Sequence, residues 1–187
     1  MIATMTEADV AYVRGNYVSF MEICAGRRET PGEVFALIEQ GLLPQPSYVL
    51  PDGTAMFPPD YFALLDDAGA PERMRAEFER RYGGDDLEED WAGYLSGLFG
   101  VCLRDVTPET IARKEQLVDR IEALLEAPHP GNRAWCEELR ASVDELDGLE
   151  RPFSPDYDRV RFGQLPTRDR LIATPRERYP EVFTQEV

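Results

Sequence analysis

The residues of this sequence whose types and spacing indicate chemistry lie in one central stretch. Residues 86–109, DLEEDWAGYLSGLFGVCLRDVTPE, form the most apolar part of an acidic chain. Their apolar side chains recur at the i, i+3, i+4 spacing of a buried helical face, which predicts one helix with an acidic first turn. Trp91 and Tyr94 lie on this face, and Arg104 lies at its end. An aromatic pair beside a cation suits a small-molecule site, although Arg104 also suits a dipole partner or an ion pair with Asp105 or Glu109.

Three glycines interrupt the same stretch, Gly93, Gly97 and Gly100. Each glycine inside a helix costs about 1 kcal/mol relative to alanine and therefore needs a compensating reason. One reason is that another helix packs backbone to backbone against this face. The other is that the glycines thin the wall of a pocket. On the second alternative, Trp91, Tyr94 and Arg104 border the pocket together with the three glycines.

The candidate pocket lies between an N-terminal unit and a C-terminal helical bundle. Its predicted ligand-binding residues are Tyr48, Tyr61, Trp91, Tyr94, Gly97 and Arg104. No catalytic residue is predicted, because the chain has one histidine and no compact catalytic constellation. Without histidine or metal, chemistry would rest on carboxylates, tyrosines and arginines, which favours proton transfer, cyclisation or lyase-type steps.

Cysteine and histidine usage excludes the common metal sites. The chain has only His129 and three widely spaced cysteines, Cys24, Cys102 and Cys136. This set contains no CxxC pair, so neither a structural zinc site nor any other metal or cofactor is expected. Cys24 and Cys102 fall in apolar helical patterns, where a free cysteine is a small buried hydrophobe more often than a nucleophile.

The charge of the chain excludes several partners. Its formal net charge is −16 at pH 7, and residues 1–150 hold 30 acidic and 13 basic residues. Nucleic acids and anionic membrane surfaces attract positive surfaces, so neither is an expected partner. No apolar run is long enough to span a bilayer, and MIATMTEADV lacks the pattern of a secretory signal. The expected location is therefore the cytoplasm.

Start and stop signals divide the N-terminal part into short elements. Thr6, Ser19 and Thr30 each precede an acidic residue at the third helical position, which predicts three helix starts. The segment PDG between two short apolar runs predicts a β-hairpin, and another helix follows it. The order of these elements resembles the winged helix-turn-helix of MerR-type regulators and excisionases. The segments that carry this resemblance are SFMEIC, VFALIEQGLLPQP, PDG and PPDYFALL.

The resemblance departs from that family at the position of the recognition helix. Residues 31–40 offer Glu33, Glu39 and a terminal Gln40, but no arginine or lysine. Base edges and phosphates are contacted by arginine, lysine, asparagine and glutamine. The resemblance therefore implies a degenerate winged helix that does not bind DNA.

From residue 71 onward the pattern is helical. Thr107 and Asn132 mark the starts of two long helices with apolar stripes, and prolines mark their ends. Residues 151–187 are rich in proline and arginine, and their arginines suit either ion pairs with the acidic bundle or an anionic ligand. The predicted fold is mainly α, with a winged-helix-like unit at 1–69, a bundle at 70–150 and a segment at 151–187 that wraps the body.

Four segments also resemble a family of proteins of natural-product biosynthesis whose function is unknown. They are VRGNYVSFMEIC, GLLPQPSYVLPDGT, YLSGLFGVCLRDVTPE and ELDGLERPF. The resemblance implies a role in secondary metabolism and identifies no catalytic residue. Two functions follow as hypotheses. One is a cofactor-independent enzyme or substrate-binding protein acting on a small molecule. The other is a regulatory or adaptor protein whose degenerate winged helix binds a biosynthetic partner protein.

Overall fold

The computed structural model describes residues 3–184, so the two residues before this range and the three after it are outside the description. The described chain is mainly helical and has one small antiparallel sheet, in agreement with the predicted class. No helix between residues 3 and 184 combines the length and the apolar character that a bilayer crossing requires.

The N-terminal module, defined as residues 3–69, contains short helices and the sheet. Its helices are α1 (Glu7–Asn16), α2 (Phe20–Cys24), α3 (Pro31–Glu39) and α4 (Ala63–Ala68), and its strands are β1 (Val18–Ser19), β2 (Tyr48–Val49) and β3 (Ala55–Phe57). Thr6, Ser19 and Thr30 each form a capping box with the acidic residue three positions later. The three predicted helix starts are therefore confirmed, because each cap satisfies backbone N–H groups that the first turn leaves unpaired.

The sheet has the strand order β1-β3-β2, with both neighbouring pairs antiparallel. Tyr48 lies opposite Met56, and Val18 lies opposite Phe57. The hairpin predicted around PDG is therefore confirmed as β2 and β3. Strand β1 was not predicted, because two residues are too few to show an alternating pattern.

The rest of the chain consists of helices and helical turns. They are a 3₁₀ turn (Pro71–Arg73), α5 (Met74–Arg81), α6 (Leu87–Leu95), α7 (Phe99–Cys102), α8 (Pro108–Glu126), α9 (Arg133–Leu149), α10 (Tyr157–Phe162), a π-helical turn (Arg168–Ala173), α11 (Thr174–Arg178) and α12 (Pro180–Phe183). Thr107 and Asn132 cap α8 and α9, as predicted. Helices α8 and α9 pack on each other through Leu117, Ile121, Leu139 and Leu146.

The C-terminal segment, defined as residues 153–184, joins the core between α8 and α9. Leu171, Ile172, Tyr179 and Val182 are buried there. Three of its arginines pair with the acidic helices: Arg168 and Arg176 with Asp147, and Arg170 with Glu122. For these three, the alternative of ion pairing with the bundle is confirmed.

The central stretch is not the single helix that its apolar period predicts. Helix α6 ends at Leu95 and α7 begins at Phe99, because Gly97 has a φ of +82°, a left-handed conformation that ends a helix. Trp91, Tyr94 and Cys102 therefore do not share one helical face. The chain before β2 packs directly on this break. The Gln45 N–H donates to the Leu95 carbonyl at 2.8 Å, and the Ser47 hydroxyl donates to the Gly97 carbonyl at 2.9 Å.

A Cβ atom has no room at Gly97. It would lie well inside van der Waals contact of the Gln45 carbonyl oxygen and 2.9 Å from that of Pro46. At Gly100 a Cβ would collide with the Ser47 hydroxyl. Close packing is thus the reason for these two glycines, against the backbone of Gln45 and Pro46 at Gly97 and against the side chains of Ser47 and Pro58 at Gly100. The expectation that a helix packs there is wrong, because the neighbour is the irregular chain before β2.

Asp9 fixes the C-terminal segment to the N-terminal module. Its buried carboxylate accepts hydrogen bonds from the Asp156 and Tyr157 N–H groups at 2.9 and 3.1 Å, and from the Thr6 N–H and hydroxyl at 2.8 and 2.9 Å. Burial acts to raise the pKa of Asp9, but these hydrogen bonds outweigh it and hold the pKa below its ordinary value. The charged form of Asp9 therefore stabilises the junction.

We predict that Asp9→Asn lowers the free energy of unfolding by about 1.5–3 kcal/mol at pH 7, the contribution expected of hydrogen bonds to a charged group. Because the pKa of Asp9 is lower in the folded chain than in the unfolded chain, its charged form stabilises the fold at pH values above the unfolded-state pKa. This stabilisation is lost as the pH falls through the folded-state pKa. The difference between variant and wild type should therefore shrink below a pH of about 4. Urea titrations at several pH values measure it. Glu7→Gln on the same helix should have almost no effect, and an Asp9→Asn loss independent of pH would contradict the assignment.

We predict that Gly97→Ala destabilises the fold far more than Gly69→Ala. Gly69 has a φ of +79° and open space around it, so its substitution measures only the strain of the left-handed conformation, about 1–2 kcal/mol. Gly97→Ala adds a clash with two backbone carbonyls, and overpacking typically costs a further ~1–3 kcal/mol. Urea denaturation with linear extrapolation gives both values. Equal losses for the two variants would show that the backbone at Gln45 and Pro46 does not approach Gly97 closely.

Candidate functional site

A cavity of about 410 Å³ lies between helices α6, α7 and α8 and the C-terminal segment. We call it the α8 cavity. Its lining comes from Tyr82, 84–86, Glu89, Asp90, Gly93, Leu98, Phe99, Val101, Cys102, Ala112, 114–116, Asp119, Phe153, Phe162, 164–167 and Arg170. The volume falls within the range typical of small-molecule sites, about 300–1,000 Å³.

One side of the α8 cavity is apolar. Phe99 is buried, while Phe153 and Phe162 from the C-terminal segment are half-buried. At the mouth, Leu98 and Leu165 remain 41% and 57% exposed. Large apolar side chains that stay exposed at the entrance of a cavity suit an apolar ligand surface, which would cover them.

The other side of the α8 cavity is acidic. Its lining includes six carboxylates, from Asp85, Asp86, Glu89, Asp90, Glu115 and Asp119, but only two cations, Lys114 and Arg170. Arg170 pairs with Glu122 outside this lining. Within residues 3–184 no arginine forms an ion pair with any of the six carboxylates, although arginines neutralise acids over much of the remaining surface. The local potential is therefore negative and attracts cations.

Asp90 is the buried carboxyl of the acidic side. It is only 5% exposed and accepts a hydrogen bond from the Tyr82 hydroxyl. Burial raises the pKa of Asp90 and exceeds the opposing effect of this hydrogen bond. Burial, and then Asp90 itself, raise the pKa of Tyr82. A buried carboxyl with a raised pKa beside an oriented hydroxyl is suited to giving and taking protons.

Lys114 is the only lysine of the chain and reaches the cavity from α8. Its Nζ lies 3.4 Å from Cys102 Sγ and 5.9 Å from the centre of the Phe99 ring. Burial acts to lower the pKa of Lys114, but Cys102, Glu150 and Glu115 together raise it above its ordinary value. Lys114 is thus an ammonium ion in the wall of the cavity.

Glu150 and Thr167 form the support behind Lys114. Glu150 is fully buried, and the Thr167 hydroxyl lies 2.6 and 2.9 Å from its two carboxylate oxygens. Burial raises the pKa of Glu150, and both Thr167 and Lys114 oppose this rise. Glu115, at the mouth, also has a raised pKa because the surrounding protein removes part of its hydration.

The predicted pocket residues lie elsewhere. Tyr61, Tyr94 and Gly97 border a separate cavity of about 20 Å³ at the junction between the N-terminal module and α6. This volume is enough for about one water molecule. The Tyr94 hydroxyl and the Asp60 Oδ1 atom are buried there and have no hydrogen-bond partner among residues 3–184, whereas the Tyr61 hydroxyl donates to the Pro44 carbonyl at 2.6 Å.

The remaining three predicted residues are dispersed. Tyr48 is buried, and its hydroxyl donates to Asp158 Oδ2 at 2.6 Å. Trp91 is half-buried and stacks on Tyr94, with ring centres 5.4 Å apart. Arg104 is exposed between α7 and α8. The structure therefore brings Tyr61, Tyr94 and Gly97 together but not the full set of six, and none of the six lines the α8 cavity.

Sequence reasoning did not identify Asp90, Lys114 or Cys102 as members of one site. One signal was present, because a single lysine among nineteen arginines is unusual and an arginine would serve equally in a surface ion pair. The polar face of Ala112, Glu115, Gln116 and Asp119 gave no signal, since it has the pattern of a solvated helix surface. It becomes a cavity wall only because the C-terminal segment lies over it.

The side chains give no indication of a metal centre. Among residues 3–184, no three or more histidine, cysteine, aspartate or glutamate side chains are close enough together to hold a metal ion. The carboxylates of the α8 cavity therefore act as separate charges and not as a ligand set.

Comparison with known proteins gives one match. Residues 66–180, more than half of the chain, match the model of the family of unknown function DUF6058. All residues that line the α8 cavity, from Tyr82 to Arg170, fall inside this region, and the sheet falls outside it. No curated protein and no solved structure matches the chain. The chain belongs to the DUF6058 family.

Proposed function

We propose that this chain binds a small organic molecule in the α8 cavity and transfers a proton on it without a cofactor. The observation that carries the proposal is the composition of the cavity lining. It combines the apolar side chains of Leu98, Phe99 and Leu165 with six carboxylates, Asp90 among them, and with the only lysine of the chain, Lys114. Apolar surface supplies binding energy, and a few polar groups supply orientation and chemistry.

The ligand class follows from the charge of the cavity. Six carboxylates face two cations, and both cations already have acidic or sulfur partners in the protein. An anionic ligand would have to overcome this negative potential, whereas an amine is attracted by it. We therefore propose a ligand with an apolar body and an amine or another cationic group.

The proposed chemistry uses each polar group for one role. Asp90, with its raised pKa and its hydrogen bond from Tyr82, is the acid–base residue. The Lys114 ammonium stabilises negative charge that develops on a ligand oxygen when a proton leaves a neighbouring carbon. Isomerisation, cyclisation and elimination all contain such a step.

The biological setting is proposed from the sequence resemblance alone. Two segments that resemble proteins of natural-product biosynthesis contribute to the cavity. YLSGLFGVCLRDVTPE supplies Leu98, Phe99, Val101 and Cys102, and ELDGLERPF supplies Phe153. A cofactor-independent proton transfer on an amine-bearing intermediate fits a cytoplasmic step of secondary metabolism.

We predict that benzylamine binds the full-length protein saturably and that benzoate, its anionic counterpart of similar size, does not. Ligand-observed NMR titration measures both. Glu115→Gln should weaken benzylamine binding about two- to fivefold, the change expected when one solvated ion pair worth ~0.5–1 kcal/mol is removed. Glu126→Gln removes the same charge from the same helix outside the cavity and should leave the affinity unchanged.

A second pair of variants locates the binding. Ala112 is buried in the cavity wall, and Ala123 is exposed on the same helix. Ala112→Leu should fill part of the cavity and abolish benzylamine binding, while Ala123→Leu should not. Benzoate binding as tight as benzylamine binding, or equal effects of the paired variants, would refute the proposed ligand site.

A second function is favoured by one surface of the N-terminal module. Phe35 on α3 and Met21 on α2 are 58% and 66% exposed. If the module is a degenerate winged helix, α3 is its recognition helix, and this helix presents an apolar side chain and acidic residues where a DNA-binding protein presents basic ones. The second candidate is therefore an adaptor that binds a biosynthetic partner protein through Phe35 and Met21.

We predict that the two functions separate in metabolite profiles of cells whose own gene carries a variant. Loss of a product with Ala112→Leu but not with Phe35→Ser is the result expected of an enzyme that uses the cavity. The opposite pattern would support the adaptor and contradict our first proposal. Ala123→Leu and Glu39→Gln, an exposed change on α3, serve as the matched controls.

A further inference from the structure

The contact between Lys114 and Cys102 has a chemical consequence beyond ligand binding. Cys102 ends α7 and Lys114 lies in the second turn of α8, so their 3.4 Å contact joins two helices. Both residues line the α8 cavity, and Cys102 is 7% exposed. The amine and the sulfur are thus in contact beside a cavity that small solutes can enter.

We propose that Cys102 and Lys114 form a covalent crosslink when the protein meets hydrogen peroxide. In the first step the Cys102 sulfur attacks one peroxide oxygen. An S–O bond forms, the O–O bond breaks and one water leaves, which gives a sulfenic acid. Sulfur loses two electrons in this step, and peroxide accepts them.

In the second step the neutral amine of Lys114 attacks the oxidised sulfur. An S–N bond forms, the S–O bond breaks, and the hydroxyl group leaves as a second water after taking up a proton. The sum is one thiol, one amine and one peroxide giving one sulfenamide and two waters. Sulfenic acids condense with nearby nitrogen nucleophiles in this way, and contact between the groups makes the reaction intramolecular and fast.

The surroundings of the pair favour this product over alternatives. Burial raises the pKa of the Cys102 thiol, and the Lys114 ammonium opposes this rise by stabilising the thiolate. All three cysteines are free thiols. Cys136 contacts the Pro130 carbonyl at 3.3 Å, and Cys24 lies near Arg27, whose guanidinium is a poor nucleophile. Among the described residues only Cys102 has a lysine amine in contact with its sulfur, since the chain has no second lysine.

The crosslink would change the α8 cavity in two ways. It would tie α7 to α8 and so fix the position of Phe99 in the wall. It would also remove the ammonium charge of Lys114, because a sulfenamide nitrogen is not protonated near neutral pH. The oxidation state of Cys102 would then control the cavity. The crosslink itself does not depend on the proposed function, and its test is separate.

Peptide mass spectrometry after peroxide treatment of the full-length protein tests the proposal. Trypsin does not cleave after a lysine whose amine is bonded to sulfur. The expected product is therefore residues 82–104 joined to residues 114–120, lighter by two hydrogen atoms than the two free peptides and released by a thiol reductant.

Variants supply the controls. Lys114→Arg keeps the charge but lacks the amine, so Cys102 should stop at a sulfenic acid that dimedone traps. Lys114→Gln should give the same result if the arginine variant folds poorly, and Cys102→Ser should give no linked peptide. The crosslink should form faster at higher pH, because the amine must lose its proton first. Accumulation of sulfenic or sulfinic acid on Cys102 in the wild type without a linked peptide would overturn the proposal, as would a Cys102 that stays reduced while Cys136 is oxidised.

Discussion

The backbone contact between Gly97 and the Gln45–Pro46 peptide determines how the two halves of the chain are arranged. Gly97 takes a left-handed conformation, the Leu95 and Gly97 carbonyls accept hydrogen bonds from Gln45 and Ser47, and the Tyr17 hydroxyl donates to the Gly100 carbonyl at 2.7 Å. These bonds satisfy groups that the end of α6 would otherwise leave unpaired. They also turn α7 away from the axis of α6, which places Phe99 and Cys102 in the wall of the α8 cavity. A close contact on one side of the central stretch thus shapes the cavity on the other.

Ion pairing with arginines then determines which part of the acidic surface keeps its negative charge for a ligand. Arg81 bridges Asp67 and Glu109, Arg113 pairs with Glu145, and arginines of the C-terminal segment pair with Asp147 and Glu122. Exposed pairs of this kind contribute little stability individually, but they neutralise most of the surface of α9 and the outer part of α8. The carboxylates around the α8 cavity receive no such partner within residues 3–184. These six carboxylates therefore place uncompensated negative charge where a ligand would enter.

The local parts of the fold could be predicted from the sequence, and the parts that depend on distant contacts could not. The helix caps could be predicted at Thr6, Ser19, Thr30 and Thr107. The geometry of such a cap depends only on the capping side chain and on the backbone three residues later. The conformation of Gly97 is imposed by residues 45–47, and a glycine within a helical pattern does not reveal a helix end by itself. The α8 cavity has walls from residues 82–119 and 153–170, so no single stretch contains it. The glycine spacing indicated close packing at Gly97 and Gly100 but predicted the wrong partner, a helix in place of irregular chain. Glu115 and Asp119 had the pattern of an ordinary solvated surface.

The titratable groups divide by position into two classes, and the division supports a functional cavity. Acids at anchoring contacts, such as Asp9, Glu109 and Asp147, have lowered pKa values and stabilise the fold in their charged form. The pKa values are raised for Asp90, Glu115 and Glu150. The protonated forms of these acids therefore contribute stability to the fold below their unfolded-state pKa. This stability is lost as the pH rises through their folded-state pKa. Near neutral pH these three acids therefore cost stability. Glu89, in the lining of the α8 cavity, and Asp60, beside the small junction cavity, also have raised pKa values. Asp90 and Glu115 line the α8 cavity, and Glu150 acts on Lys114 from outside the lining. Acids kept at a cost to stability around one cavity are expected where their titration is used.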